Sequence, residues 1–199
     1  MFPQLAQNIQ DELNLLAKTY EQPLVQVANL EISNLFDPLT KTDRYGEVCM
    51  VVRRPNGKVL TMRKTFYPKG AYRLPTGGIS HGEGVLAALL RETTEETGLQ
   101  VEVRRFLAAV AYRTSITGEQ PVFYTFAFLL DELGGTLGTL DKSERIEDFR
   151  EVEPANLLGI AEYLEQLGPE YSQYLHGQIR DWGRFRAVIH RVVWQALQA

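Results

Sequence analysis

One cysteine, Cys49, stands in the 199 residues, so neither a disulfide framework nor a cysteine-built zinc site has the residues it needs. Cys49 lies in an apolar run and reads as a small core residue in a reducing compartment rather than a nucleophile. Long apolar stretches are missing too. No run approaches the roughly 18 residues a membrane helix needs, and the first residues lack a basic segment followed by an apolar one. The expectations are a cytoplasmic protein and no membrane partner. Excess positive charge is also absent: 21 Lys and Arg stand against 25 Asp and Glu, for a net charge of −4. Nothing global therefore favours nucleic acid. There is no internal repeat and no low-complexity segment. A 44% hydrophobic content is normal for a globular core, and the length suits one domain with an extension.

The informative stretch is Pro75 to Leu99, PTGGISHGEGVLAALLRETTEETGL. Glycines at 77, 78, 82 and 84 let the backbone approach a ligand closely, and residues 76–82 read as a loop. Periodicity predicts a helix over 85–97, stopped by Gly98. At about 100° per residue, Leu86, Leu89, Leu90, Thr93 and Thr97 share one arc, the expected core face. Glu92, Glu95 and Glu96 share the neighbouring arc. Two like charges about 4 Å apart repel by roughly 1 kcal/mol in water and about 4 kcal/mol at an effective dielectric of 20. The glycine-rich approach and the adjoining apolar arc distinguish this run from a solvated acidic face and place the acids at the rim of a cleft. Clustered oxygen ligands without Cys or His suit Mg²⁺ or Mn²⁺, which would relieve the repulsion and activate a phosphate.

The spacing Gly77-x5-Glu83-x7-Arg91-Glu92-Thr93-x-Glu95-Glu96-x-Gly98-Leu99 resembles the signature box of the Nudix hydrolases, with all seven fixed residues present. Thr93 stands where the box prefers a bulky aliphatic residue, and Thr76 where many members have another glycine. Neither departure removes a carboxylate. The resemblance implies an α/β/α sandwich with a mixed sheet, and Mg²⁺-dependent cleavage of a nucleoside diphosphate linked to another group. Carried over residue by residue, Glu92, Glu95 and Glu96 match the metal-binding and base positions. Glu83 and Arg91 match a pair that braces the loop against the helix. Glu83 in that pair is sometimes near the metal, and Arg91 is counted here with the catalytic set. A backbone carbonyl near Thr76 or Gly77 completes the implied metal shell. The resemblance is specific for 75–99 and compatible in element order from about 45 to 167.

Around the box the chain divides into an N-terminal extension (1–42), a central domain (43–167) and a C-terminal helical extension (168–199). Residues 4–20 read as a helix with Leu5, Ile9, Leu13, Leu16 and Tyr20 near one face. Residues 24–35 read as a strand or docked extension. This piece is too small to fold alone, and either packs on the domain or reaches across a homodimer. Strands are expected over 45–54 and 59–62, joined at Pro55-Asn56-Gly57, and over 101–112 and 121–130. A glycine-rich link follows over 131–140, then helices over 156–167, led by Pro154, and 178–198.

Between Lys41 and Arg73, nine cationic side chains face only Asp43 and Glu47, with Tyr45, Phe66, Tyr67 and Tyr72 interleaved. A polyphosphate needs cations and a base needs flat rings. Arg63, Lys64 and Arg73 are the candidate phosphate contacts, Arg73 foremost because it leads into the glycine stretch. By similarity to the family's segment before its Pro-led helix, Glu144 or Glu147 would add an acid, with Glu144 preferred. His81 is expected in solvent, and His176 and His190 in core or surface roles.

The expected function is metal-dependent hydrolysis of the phosphoanhydride bond of a small nucleotide, with a lean to ADP-ribose or a nucleotide sugar. The alternative is a non-catalytic nucleotide-sensing module, against which the complete set of acids counts. A Nudix-fold isomerase would need a catalytic cysteine, and Cys49 has no evident partner.

Overall fold

The computed structural model describes residues 1–199. In chain order the elements are α1 (Gln7–Thr19), β1 (Leu24–Leu30), β2 (Arg44–Arg53), β3 (Val59–Lys64), β4 (Thr76–Ser80), α2 (Val85–Thr97), β5 (Leu99–Thr114), β6 (Phe123–Gly135), β7 (Ile146–Val152), α3 (Leu157–Glu165), β8 (Tyr171–Ser172), β9 (Gly177–Gln178) and α4 (Ile179–Gln198). Seven strands form one mixed sheet in the order β1-β5-β6-β2-β3-β7, with β4 also paired to β2. β2 runs parallel to β6 and antiparallel to β3 and β4. β8 and β9 form a separate two-stranded ribbon.

Side-chain alternation sorts the core into two layers, because successive residues of a strand point to opposite faces. Val48, Met50 and Val52 of β2 join Phe126, Phe128 and Leu130 of β6 on one face, packed on Ile9 and Leu13 of α1 and Val85 and Leu89 of α2. Cys49 and Val51 join Ala127 and Leu129 on the other, packed on Leu157 and Ala161 of α3 and Trp182, Phe185 and Ile189 of α4. Helices cover both faces of the central strands, so these strands read as continuous apolar runs. The fold is the expected α/β/α sandwich. No helix is long and apolar enough to cross a membrane.

Three local expectations change. Residues 76–80 form a strand rather than a loop, because their backbone pairs with β2 from Cys49 to Arg44. The link expected from residue 131 starts later, since β6 continues to Gly135 opposite Leu99 of β5. The arc of α2 is also rotated. Leu90 is 42% exposed, while Glu92 and Glu96 are buried at 8% and 1%. The buried face therefore runs through Val85, Leu89, Glu92 and Glu96, and two of the acids point inward rather than sitting at a rim.

Candidate active site

α2 follows β4 after a short turn and packs back against it. A Cβ placed on Gly77 would lie 2.1 Å from Cδ of Glu92, so only glycine lets the strand and this carboxylate approach so closely. At the other end Gly98 closes the helix with φ 66°, in the left-handed region, and this is the C-cap expected of it.

Arg91 is the hub of the box. Its Nε and Nη2 each donate to Glu83 at 2.8 Å, and Nη2 also donates to the carbonyl of Gly78 at 3.1 Å. Its Nη1 donates to Glu92 at 2.8 Å and to Glu95 at 3.0 Å. Glu83 further accepts from the N–H of Ser80, and the Arg91 guanidinium holds its carboxyl below the usual range. These bonds tie strand to helix, the bracing geometry that the resemblance implies for Glu83 and Arg91.

Glu92 and Glu96 line a cavity of about 350 Å³ together with Lys64, Arg73, Gly77 and Glu144. Burial raises the pKa of Glu92 despite Arg91. It pushes Glu96 up to about 7, against the pull of Lys64 and Arg73. Lys64 Nζ donates to Glu144 at 2.6 Å and lies 3.3 Å from Glu96. Burial opposes the ionisation of Glu144, yet the Lys64 ammonium holds its pKa below the usual value. Five cationic side chains, Lys41, Arg44 and Arg186 with Lys64 and Arg73, balance five carboxylates on the cavity wall. Phe66 and Tyr174 also face it and stack with centroids 5.4 Å apart.

The other sequence candidates are placed differently. Arg63 is turned to Glu147, at 2.7 Å, and lies outside the cavity. Arg73 is buried and lines the cavity, but all its guanidinium nitrogens are engaged. Nε and Nη2 donate to the Tyr67 hydroxyl, and Nη1 donates to the Leu74 carbonyl and Thr76 Oγ1. Glu95 and Glu83 face Arg91 rather than the cavity. Of Glu144 and Glu147, only Glu144 reaches the cavity. His81 is exposed and bonded to the Thr42 carbonyl, and His190 is fully buried.

Two residues escaped the sequence reading: Glu47 on β2 and Arg186 on α4. Arg186 Nη1 donates to Glu47 at 2.6 Å and to Thr76 Oγ1 at 3.2 Å. Both left a trace in the sequence. Glu47 is a lone acid in an apolar strand, and Arg186 stands four residues after Trp182 and four before His190, on the inward face.

The donor set suits a hard divalent cation. Glu96 Oε2 is buried without a hydrogen-bond partner, Glu92 lies against the Gly77 backbone, and no sulfur or imidazole lines the cavity. No group of three acids, histidines or cysteines stands together as a ready-made cage. Glu92 and Glu95 are instead engaged with Arg91, and Glu96 with Lys64.

The family model described as NUDIX domain matches residues 44–175. An ADP-ribose pyrophosphatase from Methanocaldococcus jannaschii is 28% identical over 166 residues, covering 83% of this chain and 92% of that protein. Nudix hydrolase 6 of Arabidopsis thaliana is 29% identical over 132 residues, 65% of this chain and 44% of the relative. Among solved structures, an ADP-ribose pyrophosphatase from Streptococcus suis 89-1591 is similar with a TM-score of 0.46 and 18% identity, covering 77% of this chain and 92% of the other. The box with its seven fixed residues, the cavity behind it and a family match over more than half the chain agree: this protein belongs to the NUDIX family, as a Nudix-type pyrophosphohydrolase.

Proposed function

We propose that the chain hydrolyses the phosphoanhydride bond of a nucleoside diphosphate linked to a second group, of the ADP-ribose or nucleotide-sugar type, with Mg²⁺ or Mn²⁺ as the required ion. The observation that carries this reading is one cavity in which the buried acids Glu92 and Glu96 meet Lys64, Arg73 and Arg186 beside the Phe66–Tyr174 ring pair. The name of the Methanocaldococcus jannaschii relative favours ADP-ribose within that class.

Glu92, Glu95 and Glu96 would hold the ion, with the Gly77 carbonyl beside them; Glu95 would turn from Arg91 to join the other two. A bound divalent ion supplies Lewis acidity at a phosphoryl oxygen and orients the attacking water. The water oxygen forms a bond to one phosphorus as the P–O bond to the bridging oxygen breaks, so two phosphomonoesters leave. Glu144, kept ionised by Lys64, is the proposed acceptor of the water's proton. Phe66 and Tyr174 offer flat rings to the base. Cationic and carboxylate side chains are equal in number on the cavity wall, so a bound divalent cation would favour the entry of an anionic substrate.

The test is a panel of nucleoside diphosphate compounds incubated with the protein and Mg²⁺ or Mn²⁺, with products separated by chromatography. Cleavage of ADP-ribose or a nucleotide sugar to a nucleoside monophosphate, abolished by chelator, is the expected result. Binding without cleavage across the whole panel would instead favour a nucleotide-sensing role.

A further inference from the structure

α4 begins beyond the last residue of the family match, yet it sends one charged side chain into the cavity. Arg186 is 5% exposed. A guanidinium in an apolar layer is costly unless its charge is paired and its donors are satisfied. Glu47 and Thr76 satisfy Nη1 alone. Nε is buried with no partner, and Nη2 makes no hydrogen bond within the chain. Arg73, in the same cavity, differs, because all of its nitrogens are engaged with Tyr67, Leu74 and Thr76. The two arginines thus share the Thr76 hydroxyl, but only Arg186 keeps an unused edge.

That edge has a defined chemistry. The N–H groups along Nε and Nη2 are parallel donors, the fork that takes two oxygens of a phosphate. Resting on the hydrolase reading above, we infer that Arg186 is a substrate-binding residue whose Nε–Nη2 edge donates to phosphoryl oxygens of the diphosphate. The phosphate site is then completed from outside the matched domain, and the unpaired Nε gains its partner when substrate enters. Glu47 fixes the opposite corner of the guanidinium, so the free edge is presented in one orientation.

Two variants separate this role from a structural ion pair. Arg186→Lys keeps a cation opposite Glu47 but removes the fork. The double variant Glu47→Gln with Arg186→Gln removes both buried charges together, so no uncompensated carboxylate is left behind. Each protein would be titrated with ADP and Mg²⁺ by calorimetry, and assayed for kcat and KM on ADP-ribose. In both variants the Kd for ADP and the KM should rise about tenfold or more, as expected when a bidentate charged contact is lost. The kcat of Arg186→Lys should change far less, and the double variant should keep the melting temperature of the unaltered protein. Unchanged Kd and KM in either variant would reduce Arg186 to a structural partner of Glu47 and overturn the inference, as would failure of the unaltered chain to bind ADP. A chain that binds ADP but cleaves nothing would sink the hydrolase reading alone, and the calorimetry would still decide the role of Arg186.

Discussion

Glu12 of α1 caps Val85 of α2. Its Oε2 accepts from the N–H of Val85 at 2.9 Å, and its Oε1 accepts from the N–H of Leu86 at 3.1 Å. The first turn of α2 has no acid of its own, and its N-cap, Gly84, offers no side chain. A carboxylate from another helix therefore satisfies orphan N–H groups and sits where the helix dipole favours negative charge. Replacing Glu12 by Ala should cost about 1 kcal/mol, read by urea denaturation. It should also weaken Mg²⁺ binding, because the helix that presents Glu92 and Glu96 is then less firmly held. A wild-type midpoint and wild-type Mg²⁺ dependence together would show that the cap matters to neither.

Gly77→Ala tests the contact between β4 and α2. The added methyl would fall 2.1 Å from both Cγ and Cδ of Glu92, so the carboxylate must move. Overpacking of this kind typically costs about 1–3 kcal/mol, and turnover should drop by about 100-fold or more as a general consequence of misplaced reacting groups. The check is kcat beside a melting curve. A variant with wild-type turnover would mean that the position of Glu92 is not critical.

Glu96→Gln should lower turnover by orders of magnitude while the protein stays folded. It also carries a pH signature. The folded pKa is about 7, above the ordinary 4.5, so the folded state binds the proton more tightly than the unfolded chain. The stability this group contributes is complete below pH 4.5 and is lost as pH rises through 7. In metal-free protein, the variant should lack that loss. Melting temperatures measured from pH 4.5 to 8, with and without the substitution, would reveal the difference.

His190 acts in the opposite direction. Its Nε2 accepts from the N–H of Leu74 at 2.9 Å, and its Nδ1 faces the Arg186 carbonyl at 2.7 Å. A proton on Nε2 would oppose the Leu74 donor, so the neutral ring with its proton on Nδ1 is the form that fits. Burial lowers its pKa from 6.5 to about 4. Its contribution is complete above pH 6.5 and is lost as pH falls through 6.5 towards 4, on the order of 3 kcal/mol at about 1.4 kcal/mol per unit. His190→Gln should flatten the unfolding free energy across that window. An identical pH slope in both proteins would show that the ring titrates normally.

The box was legible because its chemistry is local. Glycines, acids and helix period within 25 residues gave α2 its bounds, its C-cap at Gly98 and its family. The two-layer core came with the resemblance, which implies an α/β/α sandwich, because β2 itself reads as one continuous apolar run. What the sequence hid is long-range pairing. Arg186 and Glu47 are 139 positions apart, and neither a strand pattern nor a helix pattern records which cation meets which acid. The same limit holds for Arg63, whose partner Glu147 lies across the β3–β7 pairing. The turned face of α2 was hidden for a different reason. A carboxylate is polar, so periodicity sets Glu92 and Glu96 beside the apolar arc, at the rim of a cleft, whereas both are buried within the inward face. Residues 76–80 looked like a loop because their glycines reported freedom, whereas close approach to Glu92 was the reason for the glycine at 77.

The core shared by Cys49, Val51, Trp182, Phe185 and Ile189 crosses the edge of the family match at residue 175. What is recognisable by descent is therefore smaller than what is mechanically whole. Grafting 44–175 into another chain would take α1 from one face of the sheet and α4 from the other, and would strip the Leu74 N–H and Thr76 hydroxyl of their partners on α4. In this protein the catalytic signature is portable only in company with two helices that carry no signature at all.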